Sequence, residues 1–405
     1  MKEIKNCLLI GVSDRPDAEV SMAELEQLAE TAGLEVRGVL LQQRTKPDNA
    51  TYIGAGKTAE MKEFIENHEI DLAIANAELT AGQIRNLEDG LDVAVIDRTM
   101  LILDIFAGRA QSAEGRLQVE LAQLKYRLPR LAGLGESLSR LGGGIGTRGP
   151  GETKLETDRR HIRRRIKALE NALDEVKQHR QTVRRGRIRG GKNTAALVGY
   201  TNAGKSTLLN RLCGSEVYAE DKLFATLDPT VRKMEGLKGQ EILLSDTVGF
   251  LRDLPHTLID AFHSTLEESL SADLLLLVVD GADPEAEARF SVVRELLHTL
   301  KADQKPIFLI LNKIDKEEMG DLAPLYALGS KEKMRIFPVS AKTGKGCEEL
   351  RYALSRHFAG EYEKTVLIPY DDGAKLAEVY RDKVILNREE TDEGIKITYA
   401  TDEKG

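Results

Sequence analysis

The chain has no tryptophan, only three cysteines in 405 residues and no long apolar run, and each absence excludes a class of protein. Cys7, Cys213 and Cys347 are odd in number and widely scattered, so they offer neither a disulfide framework nor the paired spacing of a zinc site. A reducing, cytoplasmic compartment is expected. The longest apolar runs, such as Leu274 to Val279, fall far short of the ~20 residues that a bilayer span needs, so no membrane span is predicted. At the start, MKEIKNCLLIG has too short an apolar run for a secretory signal and reads as a first strand. His161, His179, His256 and His263 lack carboxylate or Cys partners at ligand spacing, which leaves them as solvated or packed side chains.

What is present is material for two to four compact units and a charge of -8 that is unevenly spread. Residues 159–192 hold thirteen Lys or Arg against three acids, so a strongly cationic segment sits in an acidic chain. That asymmetry points to a polyanion contacted at one defined place, against the plainer reading of a solvated helix face.

From Lys5 to about Thr99, the apolar runs CLLIGV, VRGVLLQ, DLAIANAEL and VAVIDR alternate with the amphipathic MAELEQLAETAG, AEMKEFIEN and AGQIRNLEDG. This is a β/α alternation. The stretch TYIGAGK lacks the first glycine of a phosphate loop, having Thr51 there, so Gly54 and Gly56 are read as turn glycines. Beyond it, Leu117, Leu121, Leu124, Leu128 and Leu131 recur at steps of 4, 3, 4 and 3, as do Ile162, Ile166, Leu169, Leu173 and Val176. Each set forms a coiled-coil seam. Between them lies a stretch with Gly at 133, 135, 142, 143, 144, 146, 149 and 151 and with Pro150, which predicts two antiparallel helices joined by a long tip. Arg140, Arg148 and Lys154 place positive charge on or beside it, and glycine with arginine suits close approach to a phosphate backbone. Glu152 and Glu156 read as acids favourable to the start of the second helix.

A second α/β pattern begins at Thr194, with the apolar runs TAALVG, EILLSD, LLLLVVD, PIFLILN and RIFPVS, as buried parallel strands require. Gly199 to Ser206 reads GYTNAGKS, a full G-x-x-x-x-G-K-S between a strand and a helix. Its backbone N–H groups can wrap phosphates, Lys205 can reach the β- and γ-phosphates, and the Ser206 hydroxyl can ligand magnesium. Asp246 opens DTVG at a strand end, where a carboxylate can hold magnesium through its water shell, while Gly249 offers an unobstructed N–H to the γ-phosphate. Asn312, Lys313, Ile314 and Asp315 follow one strand, and Ser340, Ala341 and Lys342 follow the next. A carboxylate such as Asp315 can accept both the N1–H and the N2–H₂ of guanine, and an N–H near Ala341 can donate to its O6, which selects GTP over ATP. In FATLDPT, Thr226 and Thr230 both have the chemistry of a switch threonine that ligands magnesium.

The order GYTNAGKS, FATLDPT, DTVGF, NKID, SAK looks like a translation-factor-related GTPase. Together with ILDIFAGRAQSAEGRLQVELAQLKYRLPRL and LGGGIGTRGPGETKLETDRRHIRRRI, it resembles the HflX family of ribosome-associated GTPases over nearly the whole chain. The resemblance implies a magnesium-dependent GTPase that alternates between GTP and GDP, with Ser206 and Thr226 as metal ligands and Lys205, Thr226 and Gly249 as catalytic groups. Gly199, Tyr200, Thr201, Asn202, Ala203, Gly204, Phe224, Ala225, Leu227, Asp228, Thr247 and Val248 would then join the residues above in the nucleotide cleft. It further implies that the first domain and the hairpin bind the large ribosomal subunit and its rRNA, with the tip near the peptidyl-transferase region. Splitting or rescue of stalled ribosomes under stress is the implied role, with one copy acting on each particle. Where many GTPases have a water-orienting Gln after DxxG, this chain has Phe250, so slow intrinsic hydrolysis is expected.

The expected architecture is α/β. An N-terminal α/β domain takes 1–105, an antiparallel helical hairpin 106–190 with its Gly-rich tip loop at 132–153, a P-loop G domain with a mostly parallel sheet 194–359, and a small α+β C-terminal domain 360–405. Two competing functions are a GTP-regulated switch on a protein partner and an RNA-remodelling or tRNA-modification GTPase. The latter would need a modification domain whose motif is not found.

Overall fold

The run CLLIGV is buried on both faces, so β1 (Asn6–Val12) belongs inside a sheet. It pairs in parallel with β2 (Glu35–Gln42) and β3 (Leu72–Ala75), and β4 (Ala94–Asp97) completes the order β2-β1-β3-β4. Alternate residues of β1 face opposite sides. Cys7 and Leu9 pack with Met22, Leu25 and Leu28 of α1 (Ala18–Thr31), while Leu8 and Ile10 pack with Met61 and Ile65 of α2 (Ala55–Asn67) and Leu87 of α3 (Ala81–Leu91). Gly54 is the residue just before α2, but Gly56 lies inside that helix and not in a turn. Asp97 ends β4 and caps α4 (Arg98–Arg109), accepting the Met100 N–H at 2.9 Å. The computed structural model describes residues 5–140, 150–189, 193–214, 223–224, 230–236, 240–252, 272–316, 321–359, 362–370, 372–382, 384–391 and 393–401.

The two seams form the paired helices α5 (Ala113–Arg140) and α6 (Pro150–Arg189). Leu121 and Leu169 are buried along the seam, and Arg165 makes a two-pronged ion pair with Glu120 at 2.6 and 2.8 Å. The loop expected over 132–153 is shorter than the glycines suggested. Helix α5 continues through Gly133 and Gly135 to Arg140, and α6 starts at Pro150, where a proline needs no N–H partner. The remaining tip glycines at 142, 143, 144, 146 and 149 lie outside the described residues. The base of α5 is tied to the first sheet by Asp97, which is fully buried and accepts from the Tyr126 hydroxyl, from Arg130 at 3.0 Å and from the Leu79 N–H at 3.0 Å.

The second sheet has the order β10-β9-β8-β5-β7-β6. Its strands are β5 (Asn193–Gly199), β6 (Val231–Glu235), β7 (Glu241–Asp246), β8 (Leu274–Asp280), β9 (Ile307–Asn312) and β10 (Arg335–Pro338), with α7 (Lys205–Cys213), α8 (Ala286–Thr299), α9 (Ala323–Lys331) and α10 (Cys347–Ala359). All its strand pairs are parallel except β6 with β7. Strand β6 is an unanticipated edge strand: VRKME is polar and only Met234 is buried. The chain ends in an antiparallel sheet of order β11-β13-β12, built from β11 (Tyr362–Ile368), β12 (Val384–Thr391) and β13 (Gly394–Thr401), with α11 (Gly373–Asp382). One apolar cluster runs without a break from Met22, Leu25 and Phe106 of the first unit to Phe224, Phe250 and Leu251 of the second. Among the described residues, no helix is long and apolar enough to cross a membrane.

Candidate nucleotide-binding and catalytic site

The phosphate loop leaves β5 at Gly199, where a Cβ would stand 2.2 Å from the Val278 carbonyl oxygen. The loop turns through Asn202 and Gly204, both at positive φ, and at Gly204 a Cβ would meet Asn312 Nδ2 at 2.3 Å. Helix α7 then starts at Lys205, whose side chain is buried and donates to the carbonyls of Tyr200 at 2.8 Å and Gly199 at 3.2 Å. Burial lowers the Lys205 ammonium to a pKa of about 8, against the opposing pull of Asp246. The Ser206 hydroxyl donates to Asp246 at 2.6 Å, so a hydroxyl and a carboxylate oxygen, both donors suited to a hard cation, stand together at the loop.

The DTVG segment runs against the same loop. Thr201 N–H donates to the Phe250 carbonyl at 2.8 Å and Phe250 N–H to Gly199 at 3.1 Å. A Cβ on Gly249 would lie 2.7 Å from Thr201 Cα and 3.0 Å from Lys205 Nζ, so only glycine fits. Thr247 and Val248 are both buried, and the Thr247 hydroxyl donates to Leu197 at 2.7 Å, holding the strand end. The Phe250 side chain is fully buried in the apolar cluster and presents no polar group to the cleft.

At the opposite end, Asn312 staples two loops. Its amide donates to the Ala203 carbonyl at 2.9 Å and accepts the Ala341 N–H at 3.0 Å. That N–H, expected beside a guanine oxygen, is thus engaged by Asn312. Lys313 donates to Asn202 at 2.7 Å and pairs with Asp280 at 2.7 Å. Asp315 is exposed, and the hydroxyl of the buried Ser340, helped by Lys342 and Lys316, holds its carboxyl below the usual range. Ile314 follows Lys313 and donates its N–H to Val339 at 3.3 Å.

A cleft of about 550 Å³ brings Tyr200, Thr201, Asn202, Gly204, Lys205, Ser206, Gly249, Asn312, Lys313, Asp315, Ala341 and Lys342 to one place. Phe224 lines it too, with its ring edge-on to Phe106 of α4 at 4.6 Å. Ala225, Thr226, Leu227 and Asp228 lie outside the described residues. The other threonine of that segment, Thr230, accepts the Asp246 N–H at its backbone carbonyl at 3.0 Å where β6 meets β7. Two lining residues, Glu24 and Gln27, come from α1 of the first unit. No signal in the sequence marked them, since both read as polar positions of an amphipathic helix. Among the described residues, no group of three or more His, Cys, Asp and Glu is placed to hold a metal ion.

Three family profiles divide the chain: GTP-binding GTPase N-terminal over residues 19–107, GTP-binding GTPase Middle Region over 109–187, and 50S ribosome-binding GTPase over 194–313. The chain is 52% identical over 374 residues to GTPase HflX of Caldanaerobacter subterraneus subsp. tengcongensis, covering 91% of this chain and 85% of that one. It is 54% identical over 319 residues to GTPase HflX of Alkalihalophilus pseudofirmus, with 78% and 75% covered. To GTPase HflX of Escherichia coli strain K12 it is 42% identical over 361 residues, with 89% and 84% covered. Among solved structures, the complex of SsGBP with GDP matches at a TM-score of 0.51 and 29% identity, covering 86% of this chain and 96% of that one. A phosphate loop, a DTVG segment, an NKID segment and an SAK loop that meet in one cleft, in a chain this close to its relatives along most of its length, belong to the GTPase HflX family, whose members bind and hydrolyse GTP.

Proposed function

We propose that this GTPase docks on the large ribosomal subunit through its first unit and its helical hairpin, and that hydrolysis to GDP and phosphate resets its affinity. Release or splitting of stalled ribosomes in the cytoplasm, by one copy per particle, is the work this cycle would perform. The carrying observation is α6: a helix of forty residues with thirteen Lys or Arg against six acids, about 60 Å at 1.5 Å per residue, paired with α5 and leading to the glycine-rich residues 141–149. The profile matched over 194–313, described as a 50S ribosome-binding GTPase, supports the same reading. The units 1–105, 106–190, 194–359 and 360–405 then act as anchor, arm, engine and accessory.

In the cleft, Lys205 neutralises the β- and γ-phosphates, the Gly249 N–H reaches the γ-phosphate, and Asp315 accepts from guanine N1–H and N2–H₂. The Ser206 hydroxyl beside Asp246 fits a magnesium ion, with Ser206 and Thr226 as its side-chain ligands and Asp246 acting through water. Magnesium, when bound, spreads the charge that develops on the phosphate oxygens. With Phe250 in the core, no side chain directly after DTVG orients the attacking water, so the ribosome would complete the site. The test replaces residues 134–150 by a short Gly-Ser link in the full chain. GDP affinity should persist while subunit binding is lost; subunit binding that survives the change would refute the assignment of the tip.

A further inference from the structure

Glu24 sits on α1, yet its partners belong to two units. The residue is 8% exposed, with one carboxylate oxygen accepting from the Tyr200 hydroxyl and the other from the Arg98 guanidinium. A buried carboxylate is costly unless paired and hydrogen-bonded; Arg98 supplies the charge pairing from within the first unit, and the Tyr200 bond to the other oxygen exists only while the units are docked. Arg98 is itself fixed by Asn76 at 2.8 Å and donates to the Arg252 carbonyl at 3.4 Å.

Tyr200 is the second residue of the phosphate loop. Its hydroxyl also accepts the N–H of Arg252 at 2.8 Å, two residues beyond Phe250, and its carbonyl holds Lys205 at 2.8 Å. Arg289 lies over its ring at 4.8 Å. Burial and the Glu24 carboxylate push the Tyr200 hydroxyl far above its ordinary pKa, so it remains a donor. Arg252 adds ion pairs to Asp17, just before α1, at 3.6 Å and to Glu285, just before α8, at 2.7 Å. One phenol thus joins α1, the phosphate loop and the segment after DTVGF.

We infer that Glu24 is a positioning residue of the GTPase: through Tyr200 it locks the phosphate loop and the segment after Phe250 to the first sheet, so that nucleotide occupancy and docking of the first unit are coupled. The coupling rests on GTP binding and not on the ribosomal reading. By linkage, whatever the nucleotide does to the latch, the latch does to nucleotide affinity.

The test uses the full chain with Glu24→Gln, Tyr200→Phe and both together. Release of N-methylanthraniloyl GDP is followed by stopped flow, and amide exchange of α1 is compared between GDP and a non-hydrolysable GTP analogue. Each single change should speed release by roughly fivefold or more, and the pair should be no faster than the faster single, since Glu24 reaches the phosphate loop through the Tyr200 hydroxyl. Exchange in α1 should depend on the nucleotide in the parent and lose that dependence in Glu24→Gln. Should that variant fail to fold, Tyr200→Phe, which removes a single oxygen, carries both readouts. Ser21→Ala cuts a bond from Asn76 at 2.8 Å within the first unit, so it should lower the melting temperature and leave release unchanged. The inference is overturned by unchanged release in the single variants, by multiplying effects in the pair, by equal acceleration in Ser21→Ala, or by nucleotide-independent exchange of α1 in the parent.

Discussion

Lys205 pays for its place in the loop with a pKa of about 8, because burial opposes its charge. Phosphate restores that charge, so above pH 8 binding must take up a proton. GDP affinity is expected to be flat below pH 8 and to fall between pH 8 and 9 by up to about tenfold, as titration should show. Lys205→Met should weaken binding and abolish this slope; a slope that persists in the variant would assign it to another group. For the free protein the sign is opposite. The folded state holds fewer protons than the unfolded chain between about 8 and 10.5, so this lysine contributes stability that grows as pH rises through that window. At the base end, Asp315→Asn turns a double acceptor into a group that donates, which should cost GTP affinity by tenfold or more and favour xanthosine triphosphate, as competition binding would reveal. Lys205, Ser206, Asp246 and Asp315 were legible in the sequence because their chemistry belongs to short motifs with fixed spacing. The stapling role of Asn312 was not, since it depends on two carbonyl and amide positions 109 and 29 residues away.

Among the elements, the hairpin shows both the reach and the limit of pattern reading. Its seams were visible as 4-3 steps of leucine and isoleucine, but the helix through Gly133 and Gly135 was not, because helix pairing outweighs the ~1 kcal/mol that glycine costs in a helix. Strands β6 and β12 escaped for a related reason: VRKME and VILNREET lack the apolar runs of buried strands and gain their place from their neighbours. The link between α5 and the first sheet makes a stability prediction. Tyr126→Phe takes the hydroxyl from buried Asp97, which keeps Arg130 and two N–H donors, so a loss of about 1–3 kcal/mol is expected in denaturant midpoints, with GDP affinity unchanged. A midpoint equal to the parent's would mean that the bond contributes nothing. If the arm contacts phosphates, subunit affinity should fall with salt by about 0.7 to 0.9 log units per log salt for each phosphate neutralised. A flat response would favour a protein partner.

On the scale of the whole molecule, the sequence suggested separate domains, yet a single apolar cluster and a buried Glu24–Tyr200 bond join the first sheet to the nucleotide cleft. Such contacts span 176 residues and leave no local pattern to read. They give the nucleotide a physical route to the arm, because α5 is anchored to the first unit through Asp97 while the phosphate loop is anchored to that unit through Glu24. The most direct test is sedimentation of the intact protein with isolated large ribosomal subunits, run empty, with GDP and with a non-hydrolysable GTP analogue. Strong retention with the analogue and weak retention with GDP or none is predicted; equal retention in all three would contradict nucleotide control of docking.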